Sequence, residues 1–341
     1  MREFPALLRR VIAGEDLSSE EAAAAIGAFM DETISGVQAA ALLTALAAKG
    51  ETIDEIVGAA RAMRQRVLRV EHELPLVVDV VGTGGDGART INISTAAAFV
   101  VAGAGVPVAK HGNRAASSRC GSADVLEALG VRIDRSPEEA AALLRRERIA
   151  FLFAQRYHPA MKAVGPVRAA LGVRTIFNVL GPLTNPAFAQ RALIGVALPR
   201  YIDLLAEALQ GLGAEAAAVI HAESGLDEIA GDGPTHVAQL VDGTIRRWTL
   251  DPAEYGVRAT LDDVRGGDAQ ENAAALLSIL RGERSPRADV VVLNAALALV
   301  VAGAADDIRA GMEIGRRSIA EGAALAALEA LRTEHEVEFA R

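Results

Sequence analysis

At 341 residues, 51% hydrophobic and 23% charged, the chain has the composition of a folded protein rather than a disordered one. It is long enough for one large unit and a smaller one. A net charge of −9 argues against a general nucleic-acid surface, which needs a basic face; a single cysteine, Cys120, excludes an internal disulfide and a thiolate metal cluster.

In chain order, the first 70 or so residues read as helical. Ser18-x-x-Glu21, Ser35-x-x-Gln38 and Thr52-x-x-Glu55 have the form of capping boxes, each followed by alanine- and leucine-rich sequence that helices favour. Four helices with short links predict a small all-α unit. The N-terminal Met-Arg-Glu-Phe-Pro has no apolar h-region of a secretory signal, so a cytoplasmic protein is expected. From Leu76 the pattern changes to short apolar runs at 77–81, 106–110, 149–153, 193–198 and 216–221, separated by helical stretches. This alternation predicts an α/β domain with largely buried strands. Ser136-Pro137-Glu138-Glu139 starts one intervening helix. Residues 235–241 and 244–250 flank Asp242-Gly243, the signature of a hairpin with a type I′ turn, so the sheet is expected to be mixed. The apolar run 290–305, interrupted by Asn294, falls short of the roughly 20 residues that span a bilayer and reads as buried core.

Ligands of open α/β sheets bind beyond the carboxyl ends of the strands, and three polar loops leave predicted strands at that end. The first, Gly82-Thr83-Gly84-Gly85-Asp86-Gly87, contains G-x-G-x-x-G. A dinucleotide fingerprint fails because no carboxylate follows about 20 positions on, and a P-loop fails because Ala88-Arg89 stand where Lys and Ser/Thr are needed. The glycines still allow main-chain N–H groups to approach an anion. Asn92-Ile93-Ser94-Thr95 precedes the apolar stretch 96–101, where a helix would begin with bare N–H groups and a favourable dipole, capped by Asn92 or Ser94. The second loop, Lys110-His111-Gly112-Asn113-Arg114-Ala115-Ala116-Ser117-Ser118-Arg119, is the densest polar cluster of the chain. Its cations suit phosphate and its amide and hydroxyls suit sugar; Ser122 and Asp124 then lead into a helix at 125–129. Arg119 beside Cys120 could favour the thiolate, but none of the chemistry that these loops suit needs a thiol. The third loop carries the acidic pair Asp227-Glu228, which beside a polyphosphate suits Mg²⁺. Together the loops describe a site for a phosphorylated sugar.

The chain resembles the anthranilate phosphoribosyltransferases, related in fold to nucleoside phosphorylases. The resemblance rests on Gly82-Thr83-Gly84-Gly85-Asp86, Asn92-Ile93-Ser94-Thr95, the 110–114 string, Gly121-Ser122-Ala123-Asp124-Val125-Leu126-Glu127, His158-Pro159-Ala160-Met161, Arg174-Thr175-Ile176-Phe177-Asn178, Leu180-Gly181-Pro182-Leu183-Thr184-Asn185-Pro186 and Gly225-Leu226-Asp227-Glu228. These keep the family's order over nearly the whole length. The resemblance implies a small helical domain at 1–71, completed by about 160–186, and a large α/β domain of 72–159 and 187–341 with a mostly parallel sheet flanked by helices. It implies a homodimer acting on phosphoribosyl pyrophosphate and anthranilate, with Mg²⁺, expected as two ions, and no nucleic-acid or membrane partner. The donor would be held by Gly82, Gly85, Asp86, Thr90, Asn92, Ile93, Ser94, Thr95, the loop Lys110 to Ser118 (His111, Gly112, Asn113, Arg114, Ala115, Ala116 and Ser117 included) and Ser122. Anthranilate would meet Gly82, Asn113 and Arg168, and the metal Ser94, Asp227 and Glu228. Lys110 and His111 are the electrostatic or positioning candidates for catalysis. The chain departs from the family pattern at Ile91, where Phe is common, and at Ala222, where glycine is usual. A nucleoside phosphorylase of the same fold, or a non-catalytic nucleic-acid-binding paralogue, remains the alternative.

Overall fold

A computed structural model describes residues 3–115 and 119–332; the predicted donor contacts Ala116, Ser117 and Ser118 therefore lie outside the described residues. Helices Phe4–Ile12, Ser19–Met30, Gly36–Lys49 and Ile53–Arg64 form the N-terminal unit. All three expected capping boxes are formed there, Ser18 with Glu21, Ser35 with Gln38 and Thr52 with Glu55, which satisfies amides that a first helical turn leaves unbonded. Glu55 is fully buried and accepts from the Leu17 N–H at 3.0 Å and from Lys49 Nζ at 3.1 Å. One carboxylate thus fastens the starts or ends of three helices.

Seven strands follow among the described residues: β1 Val78–Gly82, β2 Val108–Gly112, β3 Ile149–Phe153, β4 Arg191–Gly195, β5 Ala216–Ala222, β6 Thr235–Val241 and β7 Thr244–Leu250. Their order is β3-β2-β1-β4-β5-β6-β7. The first five are parallel and the last two antiparallel, the mixed sheet the hairpin pattern predicts. Asp242 and Gly243 take φ of 49° and 69°, as a type I′ turn requires. β2 starts two residues later than the apolar run because Pro107 has no N–H to give a ladder.

Side chains alternate along the central strands between two cores. Ala192, Ile194, Ala217 and Val219 pack with the N-terminal helices, whereas Leu193, Ala218 and Ile220 pack on the opposite face with helices Ile93–Gly103 and Pro286–Ala302. The second of those helices is the long apolar run, buried on nearly all sides. Between β3 and β4 the chain leaves the sheet: Val164, Ile176, Phe177, Val179, Leu180 and Leu183 enter the core of the N-terminal helices, and Phe177 meets Phe29 edge-on at 6.1 Å. Among the described residues no helix is long and apolar enough to cross a membrane.

Two predicted boundaries shift toward the site. The helix expected from residue 96 begins at Ile93, so Ser94 and Thr95 lie in its first turn rather than before it. Ser122 and Asp124 likewise sit inside helix Ser122–Ala128. Polar residues in a first turn are read as loop by an apolar-periodicity argument, although the N-terminal turn tolerates them best.

Candidate active site

The strand order reverses between β1 and β4, and at such a switch point the loops beyond the strand ends part to leave a crevice. Gly82 ends β1 and Gly195 ends β4, paired in register. A Cβ on Gly82 would strike the Asp227 carboxylate, and one on Gly195 would overlap the Asp227 backbone. These two glycines are therefore the seat of the acidic loop. Gly84, Gly85 and Gly87 take φ of 65°, 80° and 76°, the left-handed conformation open to glycine, which turns the loop back over the strand ends.

Three carboxylates meet there. Asp86, Asp227 and Glu228 each place an oxygen within 4.8 Å of the others, and Asp227 and Glu228 are buried. Asp227 Oδ2 accepts from the Gly84 N–H at 2.6 Å, and Glu228 Oε1 accepts from the Ser94 N–H at 3.1 Å. Burial, then the Asp86 charge, pushes Asp227 up to about 6, against the pull of the Gly84 N–H. Glu228 is raised well above the usual carboxylate range by burial and by both neighbouring acids. Clustered like charges of hard oxygen are the donor set that a divalent cation such as Mg²⁺ takes. The loop is held from behind by Asn294, the one polar residue of the predicted core run: its Oδ1 accepts from the Ile229 N–H at 3.0 Å and its Nδ2 donates to the Ile229 carbonyl at 2.9 Å.

A second buried polar group underlies the first. Lys110, expected as a loop cation, lies inside β2 and is buried, its Nζ donating to the Val80 carbonyl at 2.6 Å. Burial lowers Lys110 to about 8, opposed by Asp79, Glu228 and Asp227; it remains the cation facing the acids at neutral pH. Asp79 is pushed up to about 6 by burial and accepts from the His111 N–H at 3.1 Å and from Asn185 Nδ2 at 2.8 Å. His111 Nδ1 lies 3.0 Å from the Gly181 carbonyl and its Nε2 3.2 Å from Nε2 of His158. The carbonyl favours the Nδ1–H tautomer, leaving the His111 Nε2 lone pair facing the His158 ring. Burial and the facing ring hold His111 down to about 3, and burial holds His158 down to about 4. Both effects keep the His111 ring neutral at pH 7.

The remaining residues divide. At the helix N-terminus the amides are not bare: Ser94 N–H is taken by Glu228, and Asn92, the N-cap, makes no side-chain cap. Asn92 instead bonds the Cys120 carbonyl at 3.2 Å and accepts from Asn272 at 2.9 Å, joining the first and second loops. The Thr95 hydroxyl is buried without a partner among the described residues, while the Ile93 side chain lies wholly in the core. Thr90 bridges to Arg265. Arg114 is engaged by Asp124 at 3.0 Å and by Glu127 at 2.5 Å, the Ala115 N–H by Asp124 at 3.0 Å, and Ser122 Oγ donates to the Asn113 carbonyl at 3.3 Å. A Cβ on Gly112 would meet Ser122 and Phe151. Arg168 lies over the Phe177 ring at 5.8 Å; among the described residues no hydrogen bond joins it to Asn113 or Gly82. Cys120 is buried, which pushes its thiol up to about 11 rather than down. Sequence reasoning missed Asp79, Asn185, Asn294, Gly195 and the membership of Asp86 in the acid cluster. Asn294, a lone amide in an apolar run, and Asp79, a lone carboxylate in the run 77–81, carried a signal.

Residues 74–325 match the a/b domain of a glycosyl transferase family and residues 5–67 its helical bundle domain. The chain is 53% identical over 325 residues to the anthranilate phosphoribosyltransferase of Pelotomaculum thermopropionicum, covering 95% of this chain and 94% of that one. The crystal structure of anthranilate phosphoribosyltransferase from Thermus thermophilus superposes with a TM-score of 0.90 at 44% identity, covering 96% of this chain and 99% of that one. That from Saccharomyces cerevisiae in complex with PRPP and Mg superposes at 0.87 and 27% identity, covering 97% of each, and its complex with 4-fluoroanthranilate at 0.88 and 26% identity, covering 97% and 96%.

Proposed function

The chain belongs to the anthranilate phosphoribosyltransferase family, and from that premise we propose how its residues divide the labour of the reaction. It transfers the 5-phosphoribosyl group from phosphoribosyl pyrophosphate to the amine of anthranilate, a step of tryptophan biosynthesis. The nitrogen lone pair forms the bond to the anomeric carbon as the bond to pyrophosphate breaks and its electron pair leaves with the diphosphate; the nitrogen then gives up one proton to the departing pyrophosphate or to water. An aromatic amine is uncharged and nucleophilic near pH 7, so the demand falls on the leaving group and on bringing two anions together. The observation that carries this assignment is the cluster of Asp86, Asp227 and Glu228, tied through Gly84 and Ser94 to the glycine loop and the helix N-terminus.

Those carboxylates would hold Mg²⁺, as two ions, and the metal would neutralise charge developing on the diphosphate. Lys110 balances the acids from beneath. Gly82 to Asp86, Thr90 and residues 92–95 would line the donor, with residues 112–118 and Ser122 around its ribose and 5-phosphate; the engaged Arg114 would have to exchange Glu127 and Asp124 for that phosphate. His111 positions the 112–113 turn, and Asn113 and Arg168 meet the acceptor, whose carboxylate suits an arginine fork.

The shared core of the N-terminal helices and Val164 to Leu183 supports a helical domain of 1–71 completed by 160–186, and that core continues onto one face of the sheet of the α/β domain of 72–159 with 187–341 through Ala192, Ile194, Ala217 and Val219. A homodimer is supported by Ile12 and Val37, 67% and 81% exposed on adjoining helices of the N-terminal unit. The proposed setting is cytoplasmic. A fluorescence assay tests the function: anthranilate emission should disappear only when phosphoribosyl pyrophosphate and Mg²⁺ are both supplied. Phosphate-dependent cleavage of a nucleoside by the same preparation would speak for the phosphorylase alternative.

A further inference from the structure

Arg174 stands in the strap that follows helix Met161–Leu171. The next residues, Ile176 and Phe177, anchor that strap in the core of the N-terminal helices, yet the Arg174 side chain reaches across to the glycine loop. There Nη1 makes a long 3.5 Å contact with the Gly84 carbonyl. Nε and Nη2 are buried and have no partner among the described residues. The adjacent Thr175 is 1% exposed, and its Oγ1 is also buried without a partner; its backbone N–H is already bonded to Asn178 Oδ1 at 2.9 Å. Two N–H groups of a guanidinium edge and a neighbouring hydroxyl are thus withdrawn from water with nothing to bond, a costly state for polar groups. Gly84 itself is shared: its N–H serves Asp227 at 2.6 Å while its carbonyl faces Arg174.

We infer that Arg174 and Thr175 form an oxyanion subsite facing the glycine loop, filled by a charged oxygen group of a substrate. A guanidinium edge binds two oxygens of a carboxylate or phosphate at once, and the hydroxyl supplies a third donor. The inference rests on the transferase reading above. It names one ligand chemistry with two sources, the acceptor's carboxylate and the donor's diphosphate.

Arg174→Gln, Arg174→Lys and Thr175→Val are compared with the parent enzyme for the KM of each substrate and for inorganic pyrophosphate binding by calorimetry with Mg²⁺. If the acceptor fills the subsite, Arg174→Gln raises the anthranilate KM about tenfold or more and leaves pyrophosphate binding unchanged. If the donor fills it, the phosphoribosyl pyrophosphate KM and the pyrophosphate Kd rise together. Arg174→Lys recovers part of the loss, because it keeps the charge without the fork, and Thr175→Val shifts the same constant by less. Unchanged constants in all three variants, or a fall in kcat and melting temperature with both KM values intact, overturns the subsite. Where Arg174→Gln does not fold, the other two variants decide. Absence of turnover by the parent enzyme would instead count against the transferase reading, and the calorimetric arm would still report on the subsite.

Discussion

The N-terminal helices and the rim of the sheet are built on opposite terms. In the helices most local preferences agree with the fold: three capping boxes are closed, Phe4, Leu7 and Val11 bury one stripe, and the buried Glu55 is met by Lys49 and a backbone N–H. At the rim the preferences are set aside. Three acids crowd together, two of them buried; glycines hold positive φ; and the Thr95 and Thr175 hydroxyls and the Nε and Nη2 of Arg174 have no partner among the described residues. A chain tolerates such a region where the rest of the fold over-determines it, and the tension is useful when a ligand relieves it.

The largest expected effect comes from removing the tension at its source. Asp227→Ala with Glu228→Ala should cut kcat/KM by roughly 10²–10³-fold and flatten the Mg²⁺ titration; an unchanged titration curve would reject their role. The isosteric pair Asp227→Asn and Glu228→Gln separates function from stability, since the metal-free protein should melt no lower than the parent. The sign follows from the raised acids. Their folded-state values, about 6 for Asp227 and well up for Glu228, exceed those of the unfolded chain, so their contribution is fully present below about pH 4 and is lost as pH rises through about 6. Mg²⁺ should therefore raise the melting temperature more at pH 8 than at pH 5. His111 and His158 act oppositely: held down to about 3 and 4, they contribute stability above about pH 6.5 that is lost as pH falls toward those values. The amide variant should expose that histidine slope, which the acids offset in the parent.

Next comes an arginine contributed from the helical side. Arg168→Ala should raise the anthranilate KM by about tenfold or more while the donor KM stays nearly constant. Equal rises in both would contradict its placement at the acceptor.

The same steric lesion can then be made in both regions. A Cβ at Gly58 would run into the Ser19 carbonyl between two N-terminal helices, and one at Gly195 into the Asp227 backbone. Each glycine-to-alanine change should destabilise by about 1–3 kcal/mol through overpacking. Only Gly195→Ala should also shift the Mg²⁺ concentration for half-maximal rate, read in the fluorescence assay; an equal shift in Gly58→Ala would dissolve the distinction between the regions.

Legibility followed the same line. Elements whose signal is local were readable: the capping boxes, the Asp242-Gly243 turn and the β3 run at Ile149–Phe153 coincide with the structure. The convergence of the Gly82–Gly85 and Asp227–Glu228 loops was readable too, because strand ends and loops fall on one edge of a parallel sheet. What no local pattern carries is which polar side chains the fold turns inward. Lys110 reads as the first residue of a polar loop until β2 claims it, Asp79 sits inside the 77–81 run, and Gly195 sits inside the 193–198 run until Asp227 settles on it. Each depends on a neighbour some 30 or more positions away in the chain.

The smallest effect belongs to the region where everything agrees. Ser18→Ala and Ser35→Ala each delete the hydroxyl that accepts from the N–H three residues on, and with it one of the donors a helix start leaves over. Each should cost about 1 kcal/mol in chemical denaturation, with both KM values and kcat unchanged, since each hydroxyl bonds only within its own cap. The loss should add nearly in the double variant, because the two caps sit on different helices and share no partner. A cap deletion that altered Mg²⁺ dependence would mean that the helical unit does more than hold the strap of Arg174 and Phe177 in place.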